Sequence, residues 1–239
     1  MRILEGEGVK KYFGGLAAVA YIDFYIDQGE IVGLIGPNGA GKTTLFNLIS
    51  GSLVPTSGTI RFRGANVTGL KPHQICKRGI ARTFQLVKLF GDMTVLENTL
   101  SASLFGMSRG INQSQAKKES LELLEFVSLS TMEKVLAKGL TIANQKRLEV
   151  ARALATKPEL LLLDEVMAGL TPTEVSKATE LIRKIRDKGI TIFMIEHVMK
   201  AIMDISDRII VLHNGEKIAE GVPEEVAVNR KVIEVYLGT

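Results

Sequence analysis

Apolar and polar positions follow two different periods along this chain, and the contrast predicts its elements. Ile31-Val32-Gly33-Leu34-Ile35 and Leu160-Leu161-Leu162-Leu163 are apolar without interruption, and residues 190–195 are apolar but for Thr191, as strands of a parallel sheet covered on both faces would be. The first thirty residues read as β structure. There Val19, Tyr21 and residues 23–26 alternate before the turn Asp27-Gln28-Gly29-Glu30, a half-buried strand pattern. After the turn-rich break at residues 51–58, residues 59–63 form a further strand candidate. Residues 79–84 form another, ending at Gln85.

Between about Thr94 and Thr156 the pattern turns helical. Leu121, Leu123, Leu124, Phe126 and Val127 lie among Lys117, Lys118, Glu119, Glu122 and Glu125, a broad amphipathic face. Residues 148–155 are rich in Ala and Leu, both strong helix formers, and Pro158 closes the block. Alternation of strand and helix then resumes. Thr171-Pro172-Thr173-Glu174 is a capping box with proline at the first helical position. Its helix carries Val175, Ala178, Ile182 and Ile185 on one face and ends at Gly189. Residues 208–213, Asn214-Gly215 and residues 216–219 predict a hairpin with a two-residue turn. One α/β core with an inserted helical block follows from this order.

Within that frame the most specific chemistry is Gly36-Pro37-Asn38-Gly39-Ala40-Gly41-Lys42-Thr43-Thr44, set between an apolar strand and a helix. Glycines let successive backbone N–H groups curl toward phosphate oxygens, a lysine supplies charge, and a hydroxyl can ligate Mg²⁺. The helix opening near Lys42 adds its positive dipole end to the same anion site. A Gly-rich turn can be only a turn, but strand, glycines, Lys42 and Thr43 together predict nucleotide binding. By itself the loop fits kinases, switches and motors equally.

Phosphoryl transfer also needs a metal anchor and a group that directs the attacking water. Asp164 and Glu165 end the leucine strand, and parallel strands bring their carboxyl ends to one edge of a sheet. Because neighbours on a strand face opposite ways, the two carboxylates are expected to differ: Asp164 holding Mg²⁺, Glu165 aiming at water. His197 follows the 190–195 strand with only Glu196 between, a position for a γ-phosphate contact, although a lone histidine is more often an ordinary hydrogen-bonding residue. Gln85 could coordinate Mg²⁺ or place water; as an isolated glutamine it could equally be plain surface.

Composition narrows the picture without changing it. A chain of 239 residues with 46% hydrophobic and 23% charged residues suits a globular fold. No apolar run approaches the roughly 20 residues of a membrane span, and the N-terminus lacks a signal-peptide pattern, so a cytoplasmic protein is expected. The net charge of +4 is scattered, which does not make a nucleic-acid footprint. The one cysteine, Cys76, excludes an internal disulfide.

These residues, in this order, resemble the ATP-binding-cassette (ABC) ATPases over essentially the whole chain. The resemblance implies a P-loop NTPase of the ABC type: a single domain 1–239, with an α/β core and N-terminal antiparallel β-subdomain in 1–85 and 158–239, and a helical subdomain in 86–157. It makes residues 36–44 the Walker A motif, Gln85 the Q-loop residue, residues 160–165 Walker B with catalytic Glu165, Ala168-Gly169-Leu170-Thr171 the D-loop, and His197 the switch histidine. In Lys11-Tyr12-Phe13-Gly14, Phe13 takes the adenine-stacking position, with Tyr12 as rival and a core role as the alternative. ATP and Mg²⁺ are the implied ligands, with Thr43, Gln85 and Asp164 toward the metal. Implied partners are a second ABC ATPase subunit, transmembrane permease subunits and, indirectly, a solute-binding protein, with the chain peripheral on the inner face of the cell membrane.

Residues 79–85, Glu165-Val166-Met167-Ala168-Gly169-Leu170, Ile195-Glu196-His197 and the tail 232–238 are similar to the ATPases of branched-chain amino acid importers, whose close relatives serve urea, amides and other amino acids. Where the family signature reads Leu-Ser-Gly-Gly-Gln, this chain has Leu140-Thr141-Ile142-Ala143-Asn144. In the family that segment completes the partner cassette's nucleotide site, so Thr141, Ala143 and Asn144 are nucleotide contacts in trans. Ala143 would be restricted if its φ were positive. Val166 stands where the family usually has Pro. A soluble ABC ATPase of DNA repair or translation would call for coiled-coil insertions or a second cassette, and a P-loop kinase would leave Gln85, His197 and residues 168–171 without purpose.

Overall fold

A computed structural model describes residues 1–106 and 111–237. The chain opens with a long antiparallel pair, β1 (Arg2–Phe13) and β2 (Leu16–Asp27). It continues through β3 (Ile31–Ile35), α1 (Lys42–Ile49), β4 (Ser57–Phe62), β5 (Ala65–Asn66), α2 (Pro72–Lys77) and β6 (Ile80–Arg82). Helices α3 (Val95–Phe105), α4 (Gln113–Phe126) and α5 (Ile142–Ala155) follow. The chain closes with β7 (Leu160–Asp164), α6 (Pro172–Asp187), β8 (Thr191–Ile195), α7 (Met199–Ile205), β9 (Arg208–His213), β10 (Glu216–Gly221), α8 (Pro223–Ala227) and α9 (Arg230–Leu237).

The strands lie in the order β5-β4-β1-β2-β10-β9-β3-β8-β7-β6. The β5-β4-β1-β2 end is antiparallel, whereas β9, β3, β8, β7 and β6 pair parallel. Covering this sheet on both sides explains the uninterrupted apolar runs. Leu160 and Leu162 of β7, with Val32, Leu34, Phe193 and Ile195, face a core built on α1 around Phe46. Leu161 and Leu163, with Ile31, Ile35, Ile192 and Met194, face α5, α6 and α7. A third cluster, including Val95, Leu124, Val127, Leu148 and Ala151, holds α3, α4 and α5 to one another. Among the described residues no helix is long and apolar enough to cross a membrane.

Local chemistry sets the boundaries as expected in most places. Thr171 caps α6, its hydroxyl accepting from the Glu174 N–H while Glu174 accepts from the Thr171 N–H at 2.8 Å. Asn214 (φ 47) and Gly215 (φ 79) make the left-handed turn between β9 and β10. Two expectations need correction. The strand predicted at residues 79–84 is only Ile80–Arg82, so Gln85 lies in the loop beyond it rather than at a strand end. Ala143 lies in the first turn of α5 with ordinary helical backbone, so the methyl group imposes no strain. Gly238, part of the tail quoted above, lies outside the described residues.

Candidate active site

Register places the site. Ile195 of β8 is level with Leu34 of β3 on one side and Asp164 of β7 on the other. Three strand exits therefore open at one height, carrying the phosphate loop, the two carboxylates and His197. They meet at a recess of about 210 Å³ walled by Ala18, Asn38, Gly39, Ala40, Gly41, Lys42, Thr43, Thr44, Gln85, Glu165 and His197.

The loop's shape requires glycine at its two ends. Gly36 has φ 150, and a Cβ there would stand 2.1 Å from the Leu212 carbonyl oxygen. Gly41, with φ 100, caps α1, and a Cβ would stand 2.4 Å from the Ala18 carbonyl oxygen. No side chain could be accommodated at either without moving backbone. The Lys42 ammonium folds back under the loop, donating to the carbonyls of Gly36 at 2.7 Å and Pro37 at 2.9 Å. Burial pulls its pKa down, opposed by the charges of Glu165 and Asp164.

The two carboxylates stand in different surroundings, and strand alternation is not the cause. Asp164 is the last residue of β7 and is buried. Glu165 has already left the strand, with a left-handed φ of 53. Its carboxylate accepts from Gln85 Nε2 at 2.9 Å and meets His197 Nε2 at 2.9 Å. All three predicted catalytic side chains thus converge at one rim of the phosphate loop. Asp164 Oδ2 instead pairs with buried Arg82 at 2.7 Å, whose other terminal nitrogen donates to Asn47 Oδ1 and Ser50 Oγ. Burial pushes the Asp164 carboxyl up against the pull of Arg82.

The residue set suits a hard divalent cation. Asp164 Oδ1 is buried without a hydrogen-bond partner, and the Thr43 hydroxyl and Gln85 amide border the neighbouring recess. Oxygen donors of this kind, few in number, match the preference of Mg²⁺ for carboxylate and substrate phosphate.

Phe13 and the 140–144 segment lie apart from the recess. Phe13, at the tip of the β1–β2 hairpin, is 48% exposed with the Lys11 ammonium 5.2 Å from its ring centre. This excludes a core role, and Tyr12 is exposed beside it. Thr141 caps α5, its hydroxyl accepting from the Asn144 N–H at 3.4 Å, and Ile142 next to it is 60% exposed.

Several neighbours of the site escape a reading of motifs alone. Glu149 of α5 accepts from the backbone N–H groups of Phe84 (3.2 Å) and Lys88 (3.4 Å), and Arg152 donates to the Lys88 carbonyl. These contacts tie the Gln85 loop to the helical block. Glu196 accepts from the Met167 N–H at 2.7 Å, and Lys146 donates to the Glu165 carbonyl at 2.7 Å. The available signal was charge inside apolar sequence: Arg82 in a buried strand, and Glu149 between Leu148 and Val150. A buried charge demands a partner.

Burial pushes the Glu196 carboxyl up to about 7 from 4.5. The native protein therefore keeps a proton that the unfolded chain has released between those values, and stability falls as pH rises across that window. Replacing Glu196 with Gln removes this slope. Urea unfolding at pH 5 and pH 8 should show the variant gaining on the parent by up to about 3 kcal/mol at the higher pH. An unchanged difference at the two pH values would contradict the assignment.

The profile of the ABC transporter family matches residues 19–168, and that of a branched-chain amino acid ATP-binding cassette transporter matches residues 216–239. The chain is 41% identical to the high-affinity branched-chain amino acid transport ATP-binding protein BraF of Pseudomonas aeruginosa, covering 99% of this chain and 98% of that one. It is 43% identical to the corresponding protein LivG of Escherichia coli strain K12, with the same coverage. Among solved structures, a nucleotide-free ATP-binding cassette from an ABC transporter superimposes with a TM-score of 0.90 at 31% identity, covering both chains fully. The dimeric post-hydrolysis state of the cassette MJ0796 bound to ADP and Pi matches with a TM-score of 0.84 at 27% identity, covering 92% of this chain and 98% of that one.

Proposed function

This chain belongs to the ABC transporter family of ATP-binding subunits, and from that membership we propose that it hydrolyses ATP at the recess of residues 36–44 to drive import of branched-chain amino acids. The observation that carries the reading is the meeting of Gln85 and His197 on the Glu165 carboxylate, each at 2.9 Å, at one rim of the phosphate loop.

In this reading the backbone of residues 36–44 and the Lys42 ammonium hold the β- and γ-phosphates. Lys42 must then exchange the Gly36 and Pro37 carbonyls for phosphate oxygens, and burial favours giving its charge a full counter-charge. Glu165 accepts a hydrogen bond from the attacking water and takes its proton as the water oxygen bonds to the γ-phosphorus and the bond from that phosphorus to the β,γ-bridging oxygen breaks, releasing ADP. His197 and Gln85 orient that carboxylate and reach the γ-phosphate. Thr43, Asp164 and Gln85 would hold Mg²⁺, which, when bound, neutralises charge on the phosphates. Phe13, exposed at the tip of the β1–β2 hairpin, stacks on adenine.

The other half of the site comes from a second cassette. Thr141, Ala143 and Asn144 stand at an exposed helix start outside the chain's own recess, which suits contact with a partner's nucleotide; the dimeric relative bound to ADP and Pi supports that arrangement. Residues 86–157 form the helical arm, and the membrane subunits dock where it meets the core. A groove of about 440 Å³ there is lined by Ile75, Phe84, Lys88, Phe90, Glu149 and Arg152. Phe90 is 50% exposed, and Leu86 nearby 80%. The Gln85 loop runs along the groove, so an occupant that moves Phe84 or Lys88 moves a ligand of Glu165. The chain thus sits on the inner face of the membrane through its partners.

Tagging the chain in its native host and isolating it from detergent-solubilised membranes tests this reading. A second cassette and hydrophobic permease chains should co-purify, and deletion should abolish leucine uptake while sparing urea uptake. Recovery of the chain without any membrane protein would overturn the transport role; loss of urea uptake instead would reassign the substrate.

A further inference from the structure

Glu165 combines two features: it holds the water-directing carboxylate, and its backbone lies in the left-handed region at φ 53. A side chain with a Cβ resists that conformation, and it persists only where surrounding contacts determine it. Those contacts can be named. The Glu165 N–H donates to the Ile195 carbonyl at 2.9 Å, continuing the sheet. Its own carbonyl accepts from Lys146 Nζ at 2.7 Å. Two residues on, the Met167 N–H donates to Glu196 Oε1 at 2.7 Å.

Lys146 and Glu196 are 8% and 1% exposed, and neither lines the recess. Burying an ammonium and a carboxylate is costly, and apolar residues of similar volume commonly hold a fold at least as well. Both groups are spent on backbone atoms of the same short turn, and where Glu196 is ionised the two attract each other. Lys146 lies on α5, in the turn after the Thr141 cap, so a shift of that helix relative to β7 reaches Glu165 through a single hydrogen bond.

We propose that Lys146 and Glu196 are positioning residues that brace the turn 165–167 from both sides, aim the Glu165 carboxylate, and tie it to the helix that begins at Thr141. The proposal rests on the reading of Glu165 as the group that directs water.

Steady-state phosphate release and calorimetric Mg-ATP binding on the full-length chain in its isolated complex test it. Lys146→Met keeps length and volume but loses the charge; it should lower kcat at least tenfold while leaving the Kd for Mg-ATP within twofold. Lys146→Arg should recover at least half of the lost rate. Glu196→Gln, nearly isosteric, should lower kcat several-fold, and combining it with Lys146→Met should add little further loss, since both act on one turn. A kcat for Lys146→Met within twofold of the parent overturns the brace, as does a parallel loss of rate and nucleotide affinity. Glu165→Gln, run beside them, separates the two levels: if it stays active, the reading of Glu165 fails first, whereas an inactive Glu165→Gln beside an active Lys146→Met removes the brace alone.

Discussion

Glu165→Gln should lower the rate of ATP hydrolysis by about 10²- to 10³-fold while Mg-ATP affinity stays within about threefold of the parent. The substitution preserves shape and removes the proton acceptor. It leaves untouched the phosphate-loop amides, the Lys42 ammonium and the buried Asp164, to which the proposed function assigns the binding. His197 and Gln85 keep a polar partner across the same 2.9 Å contacts, so the rim of the recess should not collapse. Phosphate release measures the rate and calorimetry the affinity. Equal losses in both would place Glu165 in nucleotide binding instead.

The second large effect is on the fold as well as on the site. Arg82→Met should destabilise the protein by about 3–5 kcal/mol, because it leaves a buried carboxylate without its counter-charge. The Arg82 side chain is 7% exposed and that of Asp164 1%, and they meet at 2.7 Å. The same guanidinium fixes Asn47 and Ser50 at the end of α1, the helix that opens at the phosphate loop. Burial already pushes the Asp164 pKa up, so without Arg82 its carboxyl is driven further toward the neutral form, and a neutral acid is a poor ligand for Mg²⁺. Thermal unfolding should fall by roughly 6–15 °C for a domain of this size. Adding Asp164→Asn should restore part of the stability and none of the hydrolysis. A loss below about 1 kcal/mol in Arg82→Met would mean that water reaches Asp164 and that the pair is not a buried one.

How far the sequence carried the account depends on the range of the forces involved. Residues 36–44 were legible because a phosphate loop is local chemistry, nine consecutive residues whose backbone does the work. The same holds for the capping box at Thr171 and the Asn214-Gly215 turn. The leucines of β7 were legible because burial on both faces leaves one possible pattern. Arg82 was not, since its partner is 82 residues away and the pairing exists only once β6 lies beside β7. Nor was the reason for the difference between Asp164 and Glu165. Strand alternation predicted it, yet the cause is a left-handed turn held by Lys146, Ile195 and Glu196, none of which is near in sequence. Gln85 fell short of its predicted place at a strand end because β6 stops at Arg82, and it reaches Glu165 from a loop that Glu149 and Arg152 hold.

In the proposed function Glu165 acts in hydrolysis, after nucleotide has been bound by residues 36–44. Single-turnover quench measurements address it most directly, with protein in excess over Mg-ATP labelled at the γ-phosphate and the parent compared with Glu165→Gln. Both should bind the label equally, the parent should release labelled phosphate in a single phase, and the variant should retain intact ATP over at least a hundredfold longer time. Release from Glu165→Gln at the parent's rate would contradict that role.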